Sequence, residues 1–157
     1  IYSDGTTQKF TPSKIGSLST SMTAEGYRKI GVLQRLLENG ELSLKGDSPL
    51  FWDEPESNMN PKLMKALVTC LLELSRNGKQ IMLASHDYVL LKWLDLLVDE
   101  GKGDHIRYHS LYRDESGGKV QVNTTSNYLE IYPNAIDDTF EFLINSELDR
   151  SFGNIGK

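Results

Sequence analysis

Residues 50–61 read Leu50-Phe51-Trp52-Asp53-Glu54-Pro55-Glu56-Ser57-Asn58-Met59-Asn60-Pro61. Three apolar residues lead into two adjacent carboxylates, and Pro55 then takes the chain out of the run. The apolar run predicts a short buried strand ending on Asp53. Asn60 and Pro61 predict the N-cap and first turn of a helix. That helix carries an apolar stripe of Leu63, Leu67, Leu71 and Leu74 and ends at Asn77-Gly78. Gln80 to Ser85, around Ile81-Met82-Leu83-Ala84, predicts a second buried strand. Asp87 to Val98, with Leu90, Trp93, Leu94 and Leu97, predicts a further helix. Strand, helix, strand, helix over 50–98 is the pattern of a parallel sheet with right-handed crossovers.

Open parallel sheets bind ligands beyond the carboxyl ends of their strands. Here one predicted strand ends in Asp53-Glu54 and the other in Ser85-His86-Asp87. If the strands are neighbours, these groups share one crevice. Two adjacent carboxylates are costly to hold together without a cation or water to use them. Asp53 suits a magnesium shell, directly or through water, and Glu54 suits taking a proton from water. A lone histidine is usually a satisfied strand-end residue, but the place of His86 downstream of Asp-Glu favours a phosphate sensor. Glu56 reads as a loop acid whose place beside Glu54 could help position water. Ser85, His86 and Asp87 are consecutive and cannot form a hydrolase triad among themselves.

Upstream, Ile1 to Thr11 predicts a hairpin or strand edge around Asp4-Gly5, and Ser13 to Ser21 a loop. Ala24 to Glu38 predicts a helix with Ile30, Leu33 and Leu37 at helical spacing. Downstream, Ile106 to Arg113 and Lys119 to Thr124 predict an antiparallel hairpin. A last helix, 135–148, should turn Ile136, Phe140, Leu143 and Ile144 inward, with Ser151 to Lys157 a frayed tail. Asp137-Asp138 reads as a solvated first helical turn. His105 and His109, four apart in a predicted strand, stand about 13 Å from each other and cannot share a metal. Trp52 and Trp93 read as core, and Arg107, Arg113 and Lys119 as hairpin charges.

The 157 residues fit one domain. A net charge of −5 argues against a broad nucleic-acid or anionic-membrane face. The single cysteine, Cys70, excludes an internal disulfide and suits a reducing cytosol, so the chain is expected to be cytoplasmic. No apolar run approaches the ~20 residues of a membrane span, and no secretory signal opens the chain. It starts on Ile1 in strand-like sequence, which reads either as a processed or tagged chain or as a piece of a longer protein.

The stretch LFWDEPESNMNP resembles the Walker B motif and D-loop of ABC- and SMC-type ATPases, and ASHDYVLLKWL resembles their H-switch. The pairing of FWDEPE with SHD across one helix is specific in order and spacing. The chain is similar in particular to bacterial AAA-family ATPases with an ABC-like head, in which a segment like AEGYRKIGVLQRLLENG precedes FWDEPE. Thr23, Ala24, Glu25 and Gly26 then stand where such proteins place their signature motif. A helix N-terminus there offers N–H groups and a positive dipole end to a phosphate. The usual Ser-Gly-Gly-Gln text is absent, and only Gly26 and the polar residues before it correspond. The structural alternative is a plain helix start with a capping box. The D-loop also departs from the commonest pattern. Asn58 or Asn60 could contact a partner's nucleotide, while Asn60 serves as an N-cap in either case.

The resemblance implies an α/β, P-loop-NTPase-like C-terminal lobe, divided into a 1–23 strand and loop, a 24–100 signature-to-switch unit and a 101–157 hairpin and terminal helix. It implies an ATP hydrolase that works with Mg2+ as a homodimer through its nucleotide sites. In that reading Asp53 holds the metal, Glu54 is the general base and His86 meets the γ-phosphate. Thr23, Ala24, Glu25, Gly26, Asn58 and Asn60 complete the opposite site. Nothing in the sequence fits the Gly-x-x-x-x-Gly-Lys-Ser/Thr cradle of Walker A, so an N-terminal lobe of the same protein is expected to supply it, and this chain alone is expected to be inactive. The alternative is a nucleotide-gated switch with little turnover, controlling a DNA-linked or defence effector. A small-molecule hydrolase using Ser85 or Cys70 lacks a nucleophile-elbow setting.

Overall fold

The computed structural model describes residues 2–3, 8–10, 18–19, 25–39, 48–114 and 117–153. Three short antiparallel strands come first: β1 (Tyr2–Ser3), β2 (Gln8–Phe10) and β3 (Leu18–Ser19). The hairpin expectation holds for β1 and β2. The loop expected over Ser13–Ser21 is corrected at Leu18–Ser19, which add a third strand to the edge of β2. Sequence rich in Ser and Thr still pairs when a neighbouring edge offers the hydrogen bonds.

The central unit follows the predicted order. Helix α1 (Glu25–Glu38) precedes β4 (Leu50–Asp53), α2 (Pro61–Arg76), β5 (Ile81–Ala84) and α3 (Tyr88–Leu97). Strands β4 and β5 pair in parallel, Leu50 opposite Ile81 and Asp53 opposite Ala84. A parallel pair needs a crossover, and α2 supplies it. Asn60 caps α2 by accepting from the Lys62 N–H at 3.0 Å, with Pro61 in the first turn. The core is built where α2 and α3 meet this sheet. Leu67, Val68 and Leu90 are fully buried there, and Leu50, Trp52, Ile81 and Leu83 pack against the same cluster from the strands. Each fully buried Leu contributes about 1.5–3 kcal/mol of transfer free energy. Leu33 of α1 and Leu74 of α2 form a second, smaller cluster that seats α1 on the unit.

The two strands were expected to be buried; they are covered on one face only. Their alternating pattern leaves Phe51, 69% exposed, and Met82 on the open side. The lateral edge of β5 away from β4 has no strand partner among the described residues.

Beyond α3, a short 3-10 turn (Glu100–Lys102) leads to a hairpin of β6 (Tyr108–Arg113) and β7 (Val120–Thr125). His105 lies before β6, in the connection rather than in the predicted strand. Arg76 at the end of α2 anchors this connection: its Nε and Nη2 donate to the two Asp104 oxygens at 2.8 and 2.6 Å. Between β5, α3 and β6 lies a cavity of about 600 Å³, lined by Ile81, Leu83, Leu90, Ile106, Tyr108 and Leu111 among others.

Helix α4 (Ala135–Phe152) closes the chain and takes in Ser151 and Phe152, which were expected in the tail. The inward face expected for it is also corrected. No residue of α4 is buried, and Leu143 and Ile144 are half exposed. The helix leans on α3 where Phe140 stacks on Tyr88 at 4.0 Å, and Ile136 joins the lining of the cavity beside β5. Asp137 is not simply solvated. It accepts the Tyr128 phenol at 2.8 Å, and burial, with that hydrogen bond, raises Tyr128 above the ordinary tyrosine value.

Candidate nucleotide site at the strand ends

The parallel ladder runs one residue past β4: the Glu54 N–H donates to the Ala84 carbonyl at 2.8 Å. This extra rung aligns the two strand ends. The chain then turns sharply. Glu54 takes a left-handed backbone, φ 44°, which non-glycine residues rarely adopt. Pro55 is buried, Ser57 N–H donates to the Glu54 carbonyl at 3.1 Å, and Met59 N–H to that of Glu56 at 2.9 Å. Asn58 is also left-handed, φ 57°, a conformation asparagine tolerates better than most.

Across the rim, Nδ1 of His86 stands 3.2 Å from Oε1 of Glu54, with the two side chains 77% and 47% exposed. A pair this open is screened by water and adds little to stability. Its carboxylate and imidazole are therefore accessible to a ligand. His86 is held by its neighbours. Ser85 Oγ accepts from the Asp87 N–H at 3.1 Å, and Asp87 caps α3 by accepting from the Leu90 N–H at 2.7 Å.

Asp53 ends β4 on its exposed face, alternate to Trp52. Two neighbouring exposed carboxylates fit Mg2+, which takes one or two carboxylates and fills its shell with water and phosphate oxygens. Among the described residues no three His, Cys, Asp or Glu side chains cluster into an all-protein metal site.

Thr23 and Ala24 lie outside the described residues. Glu25 is the first residue of α1, and Gly26 is buried against the loop that leaves β4. A Cβ at Gly26 would sit 3.1 Å from Met59 Cγ and 3.3 Å from Met59 Cα, so any larger residue would have to push the loop back by a few tenths of an ångström. Asn58 is exposed, and Asn60 is engaged as the α2 cap. The structure therefore brings Glu54 and His86 together with Asp53 at the same strand end, and sets Gly26 behind the loop.

One contributor, Lys29, escaped the sequence reading, and another, Glu56, was read only as a loop acid that could help position water. Lys29 of α1 donates to the carbonyls of Glu54 at 3.0 Å and Ser57 at 2.9 Å, and to Ser57 Oγ at 2.7 Å. Glu56 is 6% exposed and accepts the Ser85 hydroxyl at 2.6 Å through Oε1, while its Oε2 has no hydrogen-bond partner among the described residues. The only hint in the sequence was the three-residue spacing of Gly26 and Lys29, which puts them on one helix face.

Residues 24–92 match a family described as "AAA domain, putative AbiEii toxin, Type IV TA system". No curated protein matches the chain. Among solved structures, the chain resembles one described as "Structural biochemistry of ATP-driven dimerization and DNA stimulated activation of SMC ATPases." The match has a TM-score of 0.51 at 13% identity, over 88% of this chain and 71% of that one. No helix of the described residues is long and apolar enough to cross a membrane. Residues 24–92 are thus similar to that AAA family, and the chain shares the mixed α/β fold of the SMC ATPase structure.

Proposed function

We propose that this chain is one half of an ATP-hydrolysing site, completed by a phosphate-cradling lobe and by a second copy of the head. The observation that carries this reading is the 3.2 Å approach of Glu54 Oε1 and His86 Nδ1 at the ends of two parallel strands. Glu54 takes a proton from water as the water attacks the γ-phosphorus. The bond to the bridging oxygen breaks, leaving ADP and phosphate. His86 donates to a γ-phosphate oxygen as charge moves onto it, which is positioning plus electrostatic stabilisation. Asp53 would hold Mg2+, whose contribution is to neutralise phosphate charge. Thr23, Ala24, Glu25 and Gly26, with the loop residues Asn58 and Asn60, face the nucleotide of the other copy in this arrangement.

The cavity beside β5 supports a missing lobe. The edges of β5 and β6 that flank it are both unpaired among the described residues, and its lining is largely apolar. A further strand laid there would deliver its carboxyl end to the rim that carries Glu54 and His86. The SMC ATPase structure is one described in terms of ATP-driven dimerisation and DNA-stimulated activation. Head-to-head pairing is what a site split in this way requires, and a DNA or effector partner is an extension of the same reading.

The test is Glu54→Gln in the protein that includes the phosphate-cradling lobe. ATP binding should persist, the dimer should be trapped by ATP, and turnover should fall by about 10²–10⁴-fold. Unchanged turnover removes Glu54 from the role of base. A wild-type protein that binds ATP and dimerises without turnover would point to a nucleotide-gated switch instead.

A further inference from the structure

We infer that Lys29 is a positioning residue that holds the Glu54 backbone in its left-handed turn and thereby ties the place of α1 to the place of the Glu54 carboxylate. The inference rests on the role proposed above for Glu54. The geometry, though, concerns this chain alone.

An ammonium group has three N–H donors. Those of Lys29 face the carbonyls of Glu54 and Ser57 and the hydroxyl of Ser57, at 3.0, 2.9 and 2.7 Å, with the Pro55 carbonyl a longer 3.4 Å away. The charge is thus spent on two backbone carbonyls and a hydroxyl of one four-residue turn, and on no carboxylate among the described residues. Charge-assisted hydrogen bonds of this kind are about twice as strong as neutral ones. The Glu54 carbonyl accepts from both Lys29 and the Ser57 N–H, which fixes the plane of the peptide that follows Glu54.

That plane matters because Glu54 sits at φ 44°. A glutamate persists there only when its surroundings over-determine the conformation. Released from the clamp, the turn can relax to negative φ, which swings the Glu54 side chain away from His86. Two further contacts complete the tie. Gly26, on the same face of α1, lets the helix close onto Met59 at the far end of the turn. On the opposite side, Glu56 holds Ser85, the residue before His86. The turn is therefore gripped by α1 from one side and by the His86 segment from the other. A shift of α1, whose N-terminus is the part proposed to meet the other copy's nucleotide, moves the base that acts on this copy's own nucleotide.

The experiment has two arms. In this chain, Lys29→Met should speed amide hydrogen exchange at Ser57 and Met59 by about tenfold or more, with Leu67 to Leu72 in α2 unchanged, and Lys29→Arg should restore part of the protection. Unchanged exchange at Ser57 and Met59 overturns the clamp. If Lys29→Met does not fold, Ser57→Ala removes one acceptor only and should give the same local effect at smaller size; no effect there overturns the clamp equally.

In the protein with its phosphate-cradling lobe, Lys29→Met should lower kcat by roughly 10–100-fold while KM for ATP stays constant. Combined with Glu54→Gln it should add nothing further, because both changes act through one carboxylate. A full additional loss in the double variant, or a change confined to KM, overturns the positioning role. A wild-type protein without turnover defeats the proposed function, and leaves the exchange arm to decide the clamp by itself.

Discussion

His86 Nδ1 lies 3.2 Å from Glu54 Oε1, although the two residues belong to different strand ends separated by the whole of α2. The Glu54 N–H to Ala84 carbonyl bond, one rung beyond β4, sets this approach. A slip of one residue in the pairing would turn one of the two side chains to the other face. Register is thus what joins the fold to its chemistry.

The first expectation concerns nucleotide affinity. The described residues offer a rim without a backbone cradle for phosphates, so this 157-residue chain alone should bind Mg-ATP more weakly than micromolar. Isothermal titration calorimetry checks this. Micromolar affinity would mean that the phosphate-binding elements already lie within the chain.

In the protein with its phosphate-cradling lobe, His86→Ala should lower kcat by about 10²-fold, the scale of losing one donor to a developing charge. ATP affinity should change little, because the contact strengthens as the γ-phosphate departs. Steady-state and equilibrium measurements on the same variant separate the two. A loss of affinity alone would make His86 a ground-state contact.

Gly26→Ala should destabilise the chain by about 1 kcal/mol through crowding. The new methyl would come within 3.3 Å of the Met59 backbone, which cannot move aside as a side chain can. The gain in helix propensity offsets part of this. Gly26→Val should cost more. Thermal unfolding of the three proteins gives the ordering, and an alanine variant as stable as wild type would show that the loop yields.

Asp104 is nearly buried, and the Arg76 guanidinium, by its hydrogen bonds, holds the carboxyl below its ordinary value of 3.8. A depressed carboxylate stabilises the fold above its unfolded value, and that stabilisation is lost as pH falls through the folded one. Asp104→Asn should therefore lower Tm by roughly 2–4 °C at pH 7. The gap should narrow as pH drops below 3.8. A gap that is constant with pH would assign the effect to packing rather than charge.

The strand–helix–strand–helix unit was legible because its signals are local. Leu50-Phe51-Trp52 is too short and too apolar for a surface loop, and Asn60-Pro61 writes a helix start into two letters. Glu54 and His86 followed, since strand ends in a parallel sheet have a known direction. Lys29 was not legible because its acceptors are main-chain carbonyls and Ser57 Oγ, and carbonyls carry no residue signature. Glu56 read as a loop acid because only the folded turn shows it sealed against Ser85. Helix α4 misled in the other direction. The spacing of Phe140, Leu143 and Ile144 is genuine, but periodicity marks a face without saying what stands opposite it.

The edges of β5 and β6, unpaired among the described residues, also bear on how the polypeptide behaves in the test tube. Each presents a ladder of donors and acceptors beside greasy walls, a ready template for mismatched chains. Prepared by itself, the protein is expected to clump as it is concentrated, and a charged side chain in place of the exposed Met82 of β5 is the simplest way to keep it dispersed.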